Sequence, residues 1–149
     1  ALAVAPVVAY QNASGKVPTG EVAQGVSIEF NKNVAKTSWH YNYILSGYVR
    51  YQGDNVLKDE LDNKPVMTEN IAVLKTNIEV IDSEARRFID TKSGGQAMFF
   101  LGGKVIRGNW QRSDSGALQF SDDHGKPMVW EPGRIWIEVV DNDSTITLF

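Results

Sequence analysis

The 149-residue sequence contains no cysteine and only two histidines. Without cysteine the chain has no disulfide bonds, no metal sites built from thiolates and no cysteine nucleophile. The histidines, His40 and His124, lack the His-x-x-x-His or His-Glu-x-x-His spacing of metal sites. We therefore expect neither a metal ion nor another cofactor, and we expect both histidines to be structural or solvent-exposed.

Long apolar runs and clusters of basic residues are also missing. The apolar stretch at residues 1–9 is interrupted by Pro6 and is far too short to span a bilayer. It also lacks the charged n-region of an intact signal peptide. The formal net charge is −3, and the charges are interspersed along the chain. Nucleic-acid binding requires clustered Lys and Arg side chains, so we expect no nucleic acid among the partners.

The length of the chain is sufficient for a single domain with its own core. Residues 1–25 are rich in Ala, Gly, Ser, Pro and Gln, and their hydrophobic periodicity is poor. We interpret these residues as an extended arm or the remnant of a linker. Residues 26–149 are predicted to form one β-rich domain.

Short segments of alternating polarity dominate the rest of the sequence. Between Val26 and Phe30, apolar and polar residues alternate with the period of two that indicates a half-buried strand. The pair at 102–103 is Gly-Gly between two apolar runs, which supplies the positive φ values of a two-residue hairpin turn. Turn residues at 46–47 and 123–126 predict two further hairpins. About ten short strands and little helix predict an all-β fold, an antiparallel sandwich or a partly open barrel.

No motif of a reaction centre is present, and we assign no catalytic residue. The sequence lacks the Gly-x-Ser-x-Gly elbow of serine hydrolases. Paired carboxylates can act as acid and base or nucleophile when the fold brings them together. The rival interpretation is therefore a hydrolase of cell-wall polymers that uses Glu84 and Asp90. Such an enzyme needs a concave pocket around both side chains.

Aromatic and arginine side chains are the remaining candidates for a functional surface. Alternate positions on strands place aromatic rings side by side, where they form core if buried and a surface for sugars or proteins if exposed. Arginine forks pair bidentately with carboxylates, so the double Arg at 86–87 indicates either an internal ion-pair lattice or an anion site. The predicted ligand-binding residues are Trp39, Arg50, Arg86, Arg107, Trp110 and Trp136.

Several stretches of the sequence match one known family in order and spacing over roughly residues 26–140. They are SWHY at 38–41, GYVRYQGD at 47–54, NIAVL at 70–74, IDSEARRFID at 81–90, GQAMFFLGGKVIRGNW at 95–110 and PGRIWIEVV at 132–140. Together they resemble the C-terminal domain of the YerB-like bacterial lipoproteins, a family catalogued as domain of unknown function 3048. The chain departs from the family at Ala85, where Gly is usual, and at Asn109, where Thr is usual. We expect both departures to affect local turn geometry and to leave the fold intact.

The resemblance implies a location outside the cytoplasm, in the cell envelope of a bacterium. It also implies a separate N-terminal domain and a membrane anchor, and we expect both to lie outside this sequence. It offers no catalytic residues to carry over.

We therefore expect a non-catalytic binding or scaffolding domain whose partner is an envelope protein or a glycan. One alternative is the hydrolase described above. The other is a structural module that assembles by pairing exposed strand edges. The sequence leaves the oligomeric state open.

Overall fold

A computed structural model describes residues 11–12, 19–30 and 35–149. Within these ranges the chain forms sixteen β-strands and no helix, so no helical membrane span lies among them. The strands are β1 Gln11–Asn12, β2 Glu21–Val22, β3 Gly25–Glu29, β4 Thr37–Asn42, β5 Gly47–Gln52, β6 Asn55–Val56, β7 Met67–Thr68, β8 Asn70–Thr76, β9 Ile78–Val80, β10 Arg87–Ile89, β11 Gly95–Leu101, β12 Lys104–Arg112, β13 Leu118–Asp122, β14 Val129–Trp130, β15 Ile135–Asp141 and β16 Thr145–Leu148. The all-β prediction is confirmed.

The first of two large sheets, sheet I, has the strand order β13-β12-β11-β8-β15, with β2 paired to β12. The predicted turn between β11 and β12 is present, and its residues Gly102 and Gly103 have φ angles of 58° and 73°. β15 lies parallel to β8, with Ile135 beside Asn70. The sequence analysis predicted antiparallel pairing throughout. Alternation of polarity reports which side chains are buried and carries no information on strand direction, so it could not reveal this parallel pair. Parallel neighbours require a long crossover, which residues 77–134 provide.

Sheet II has the order β16-β3-β4-β5-β6, with β7 also paired to β5. The predicted hairpin of β4 and β5 is present, with Asn42 opposite Gly47. Sheet II packs against one face of sheet I and forms the first core of a sandwich. The buried residues of this core are Ala23, Val26, Ile28, Trp39, Tyr48, Ile71, Val73, Phe100, Val105 and Val140.

A second core covers the opposite face of sheet I. The segment after β13 folds back over this face and buries Met128 and Trp130. The amide of Met128 donates to the carbonyl of Phe120, as expected for the hairpin predicted at 123–126. β8 is therefore buried on both faces, which explains its continuous apolar run at 71–74.

Most of the predicted arm, residues 1–10 and 13–18, lies outside the described residues. Its described end is packed onto the sandwich. β2 pairs with Lys104 and Val105 of β12, and Ala23 is 2% exposed in the first core. Further upstream, β1 pairs in parallel with β14. The backbone at residues 19–25 therefore continues directly into the sandwich at β3.

Strands β9 and β10 form an antiparallel hairpin outside both sheets, which we call the ribbon (residues 77–90). It continues the β8–β11 hairpin beyond the edge of sheet I. At its base the amide of Asp90 donates to the carbonyl of Asn77, and the Thr76 hydroxyl donates to the carbonyl of Asp90. At its tip, Ala85 has a left-handed φ of 59°. A residue without a Cβ adopts this conformation more easily.

Candidate functional site

The structure separates the six predicted site residues into different environments. Trp39 is fully buried in the first core, and Trp110 is 3% exposed in the second. The Trp110 indole donates to the Lys75 carbonyl at 2.8 Å. A buried indole requires such a partner, which ties β12 to the end of β8. Neither ring offers a face to a ligand on the surface.

Trp39, Arg50 and Trp136 meet around one carboxylate between the sheets. The Arg50 guanidinium carbon lies 4.9 Å from the Trp136 ring centroid and 5.6 Å from that of Trp39. Its Nη2 is 3.6 Å from Oε1 of Glu138. The same oxygen accepts a hydrogen bond from the Trp39 indole at 3.2 Å. We call these four residues the intersheet cluster.

The strand registers explain why the intersheet cluster forms. Trp39 on β4 is directly opposite Arg50 on β5, so both side chains leave sheet II on its inner face. Trp136 and Glu138 are two residues apart on β15 and share the inner face of sheet I. The Arg50 and Glu138 side chains are 19% and 10% exposed. Such a partly desolvated cation, stacked on aromatic rings, joins the two sheets and leaves little of Arg50 for an external ligand.

Arg86 and Arg107 are the exposed members of the predicted set. Arg86 lies at the tip of the ribbon, where its Nε pairs with the carboxylate of Asp82. Arg107 lies on β12 and reaches Glu21 across 3.9 Å, with both side chains more than half exposed. An exposed pair of this length contributes little to stability, so Arg107 can turn to another anion.

Arg107 lines an open cleft of about 430 Å³ on sheet I. The lining residues are Lys75, Gln96, Ala97, Met98, Arg107, Gly108, Asn109 and Asp123. The registers bring the polar members together: Asn109 is opposite Gln96, and Arg107 is opposite Met98. Lys75 follows Leu74, which is opposite Ala97, so Lys75 lies next to Gln96. The cleft therefore places two cations and two carboxamides on neighbouring strands.

The cleft is the polar continuation of the inner face of sheet I. Val73 and Lys75 alternate onto the same face of β8, as do Val105 and Arg107 on β12. The apolar end of each strand is covered by sheet II, and the polar end is open. Gly108 keeps β13 close, because a Cβ at this position would come within 1.9 Å of the Ser121 carbonyl oxygen.

The cleft contains groups that bind anions. Lysine and arginine supply charged donors, and the carboxamides of Gln96 and Asn109 supply neutral ones. Asp123 at the rim limits the positive potential and offers an acceptor for a hydroxyl or amine. Lys75 has no salt bridge to a carboxylate in the described part of the chain. The arrangement fits a polar ligand that carries a negative group.

Of the polar residues that line the cleft, the sequence analysis named Arg107 and did not name Lys75, Gln96 or Asn109. Lys75 was visible as the single charged residue of its strand, directly after the apolar run at 71–74. Its neighbours could not be identified, because the registers of β8, β11 and β12 are set by long-range pairing. Asn109 is in the middle of β12 and not in a turn, so the expected change in turn geometry at this position was wrong.

The structure separates the two carboxylates of the hydrolase alternative, Glu84 and Asp90. Glu84 is exposed at the tip of the ribbon, and Asp90 lies at its base. The carboxylates of the hydrolase alternative are therefore at opposite ends of one hairpin. Asp90 caps the following turn by accepting from the amides of Lys92 and Ser93. Hydrogen bonds from Ser93 and the Lys92 amide lower the pKa of Asp90.

His40 and Ser38 are adjacent on the outer face of sheet II, with Ser38 Oγ 3.1 Å from His40 Nε2. The imidazole packs against the rings of Tyr51 and Phe149, at centroid distances of 4.4 and 4.7 Å. Partial burial against these rings lowers the pKa of His40. No carboxylate among the described residues orients the imidazole, so the pair lacks the third member of a hydrolytic triad. No group of three metal-ligating side chains occurs in residues 19–30 and 35–149 either.

Comparisons with known proteins agree with this fold. Residues 26–137 match the family model described as "Protein of unknown function (DUF3048) C-terminal domain". The "Putative lipoprotein YerB" of Bacillus subtilis (strain 168) is 29% identical over 133 residues, which cover 88% of this chain and 39% of that protein. The crystal structure of YerB protein from Bacillus subtilis superposes with a TM-score of 0.73 at 29% identity, covering 87% of this chain and 45% of that chain. The chain thus spans less than half the length of these relatives.

Proposed function

From the premise that the chain belongs to the DUF3048 C-terminal domain family, we propose that it is a non-catalytic binding domain of an envelope-associated lipoprotein. Its ligand-binding site is the cleft of Lys75, Gln96, Arg107 and Asn109. The ligand is an envelope component, a protein or a glycan, that presents a negatively charged group to this cleft.

The chemistry of the cleft is the observation that carries this proposal. Its volume of about 430 Å³ falls within the range of small-molecule sites, which is about 300–1,000 Å³. The two cations lie on β8 and β12, the strands on either side of β11, and the backbone ladder holds these strands at a fixed spacing, so Lys75 and Arg107 can recognise one anionic group together. A site on rigid strands requires little ordering when the ligand binds.

The location of the domain is supported by its relatives. The Bacillus subtilis relative carries the name lipoprotein, which implies attachment to a membrane. A domain of this kind faces polymers and proteins of the envelope. Bacterial walls that carry phosphate polymers would provide the anionic groups that the cleft fits.

A cosedimentation experiment tests the proposal. The domain is mixed with purified Bacillus subtilis cell walls, and with the same walls after acid removal of their phosphate polymers. The test variant is Lys75→Ala/Arg107→Ala. The control variant is Lys58→Ala/Lys92→Ala, which removes two exposed lysines elsewhere and has the same net charge.

We expect the wild type and the control to bind intact walls alike. The cleft variant should bind about tenfold or more weakly, because hydrogen bonds to charged groups contribute on the order of 1.5–3 kcal/mol each. Binding that is equally strong in both double variants would exclude the cleft. Equal binding to stripped walls would reassign the ligand to a component other than the phosphate polymers.

A further inference from the structure

The ribbon exposes apolar side chains that neither core covers. Val80, Ile81, Phe88 and Ile89 are 62%, 60%, 54% and 43% exposed. A two-stranded hairpin with no further neighbour is only marginally stable in water. We therefore expect another chain or segment to cover the ribbon when the protein functions. The unpaired edge of β10 indicates what that chain is.

The outer edge of β10 is free to pair. The Ile81 amide donates to the Arg86 carbonyl, and the Asp90 amide donates to that of Asn77. These bonds fix the alternation of the ladder, so the backbone groups of Arg87 and Ile89 point away from β9. Within the described part of the chain, β9 is the single strand paired with β10. The free edge thus offers one donor and one acceptor at each of two alternate residues.

We infer that this edge binds a second copy of the chain, with β10 antiparallel to β10 and a two-fold axis at Phe88. The sequence Arg86-Arg87-Phe88-Ile89-Asp90 is complementary to itself in this register. Arg87 and Ile89 of the two copies exchange backbone hydrogen bonds. Arg86 lies opposite Asp90 of the second copy, on the same face as the two phenylalanines.

Other two-fold registers of the same edge are less favourable. An axis at Arg87 would place two guanidinium groups directly opposite each other, which is destabilising. An axis at Ile89 would place Phe88 opposite a carboxylate at position 90. The axis at Phe88 instead gives a pair of aromatic rings between two pairs of opposite charge, both of which are favourable cross-strand pairs. The result is a four-stranded sheet in the order β9-β10-β10-β9.

This inference does not depend on the cleft. The ribbon and the cleft residues Lys75, Arg107 and Asn109 lie on different segments, so cell-wall binding and dimer formation can fail separately.

The absence of cysteine permits a direct test by crosslinking. At a non-hydrogen-bonded pair the two Cα atoms are about 4.5 Å apart, close enough for a disulfide in Phe88→Cys. The matched control is Glu79→Cys, which is opposite Phe88 on β9 and on the same face. Its two copies would be three strand spacings apart, about 14 Å, too far for a bond. Both variants are oxidised and analysed on non-reducing gels.

We expect Phe88→Cys to form covalent dimers at least about tenfold faster than Glu79→Cys. Sedimentation velocity of the wild type should show a concentration-dependent dimer that Phe88→Lys abolishes, with an unchanged circular dichroism spectrum. Equal crosslinking of the two cysteine variants, or a wild type that stays monomeric up to about 1 mM, would overturn the inference.

Discussion

Replacing Arg50 with Met removes the guanidinium of the intersheet cluster and keeps most of its aliphatic stem. Glu138, which is 8% exposed, then loses its cation and, among the described residues, keeps the hydrogen bond from Trp39. Leaving a buried charge without its partner costs roughly 3–5 kcal/mol. The Arg50 side chain is 19% exposed, so some water remains available, and we expect a loss of about 2–3 kcal/mol.

A double-mutant cycle separates the interaction energy of Arg50 and Glu138 from the energy lost through poorer packing. We expect Glu138→Gln to cost about 1–2 kcal/mol, because it leaves Arg50 without a counter-charge. The stability lost in the double variant Arg50→Met/Glu138→Gln should be smaller than the sum of the two single losses by about 1–2 kcal/mol. The matched control is Lys64→Met, which breaks an exposed pair with Asp62 and should leave the free energy of unfolding nearly unchanged.

Urea unfolding of the four proteins, followed by tryptophan fluorescence, provides the free energies. A loss of 2–3 kcal/mol corresponds to a fall in Tm of roughly 4–12 °C for a domain of this size. The account is wrong if the free energy of unfolding of Arg50→Met lies within about 0.5 kcal/mol of the wild-type value. It is also wrong if the costs of the two single substitutions simply add.

Two further predictions concern local structure. Ala85→Gly relieves the strain of a left-handed φ of 59° and should slow hydrogen exchange at the Ile81 amide by about threefold. Faster exchange in this variant would show that Ala85 is unstrained. Burial lowers the pKa of His40, so its stabilising contribution is present above the unfolded value of about 6.5 and is lost as pH falls through the folded pKa. An NMR titration of the His40 ring should give a midpoint below 6.5, and a midpoint above that value would contradict the packing with Tyr51 and Phe149.

Local sequence signals were sufficient for the hairpins. The Gly-Gly turn at 102–103 requires positive φ at both residues, and no other local structure suits it as well. The family resemblance, carried by motifs across residues 26–140, is confirmed by the matching family model.

Features that depend on pairing between distant strands could not be predicted from the sequence. The parallel partner of β8 comes from β15, some sixty residues later, and alternation gives no direction. The cleft depends on the registers of three strands, so Lys75 and Asn109 could not be placed together. Arg50 was predicted to contact a ligand. Its side chain points inward because Arg50 is opposite Trp39, and this register could not be predicted from the sequence.

A ¹H–¹⁵N NMR titration of the domain with solubilised phosphate-containing wall polymer tests the central claim most directly. The account predicts shifts at the backbone amides of Lys75, at residues 96–98 and at residues 107–109, with the buried indoles of Trp39 and Trp110 unchanged. Shifts on the outer face of sheet II around His40, with none in the cleft, would contradict it.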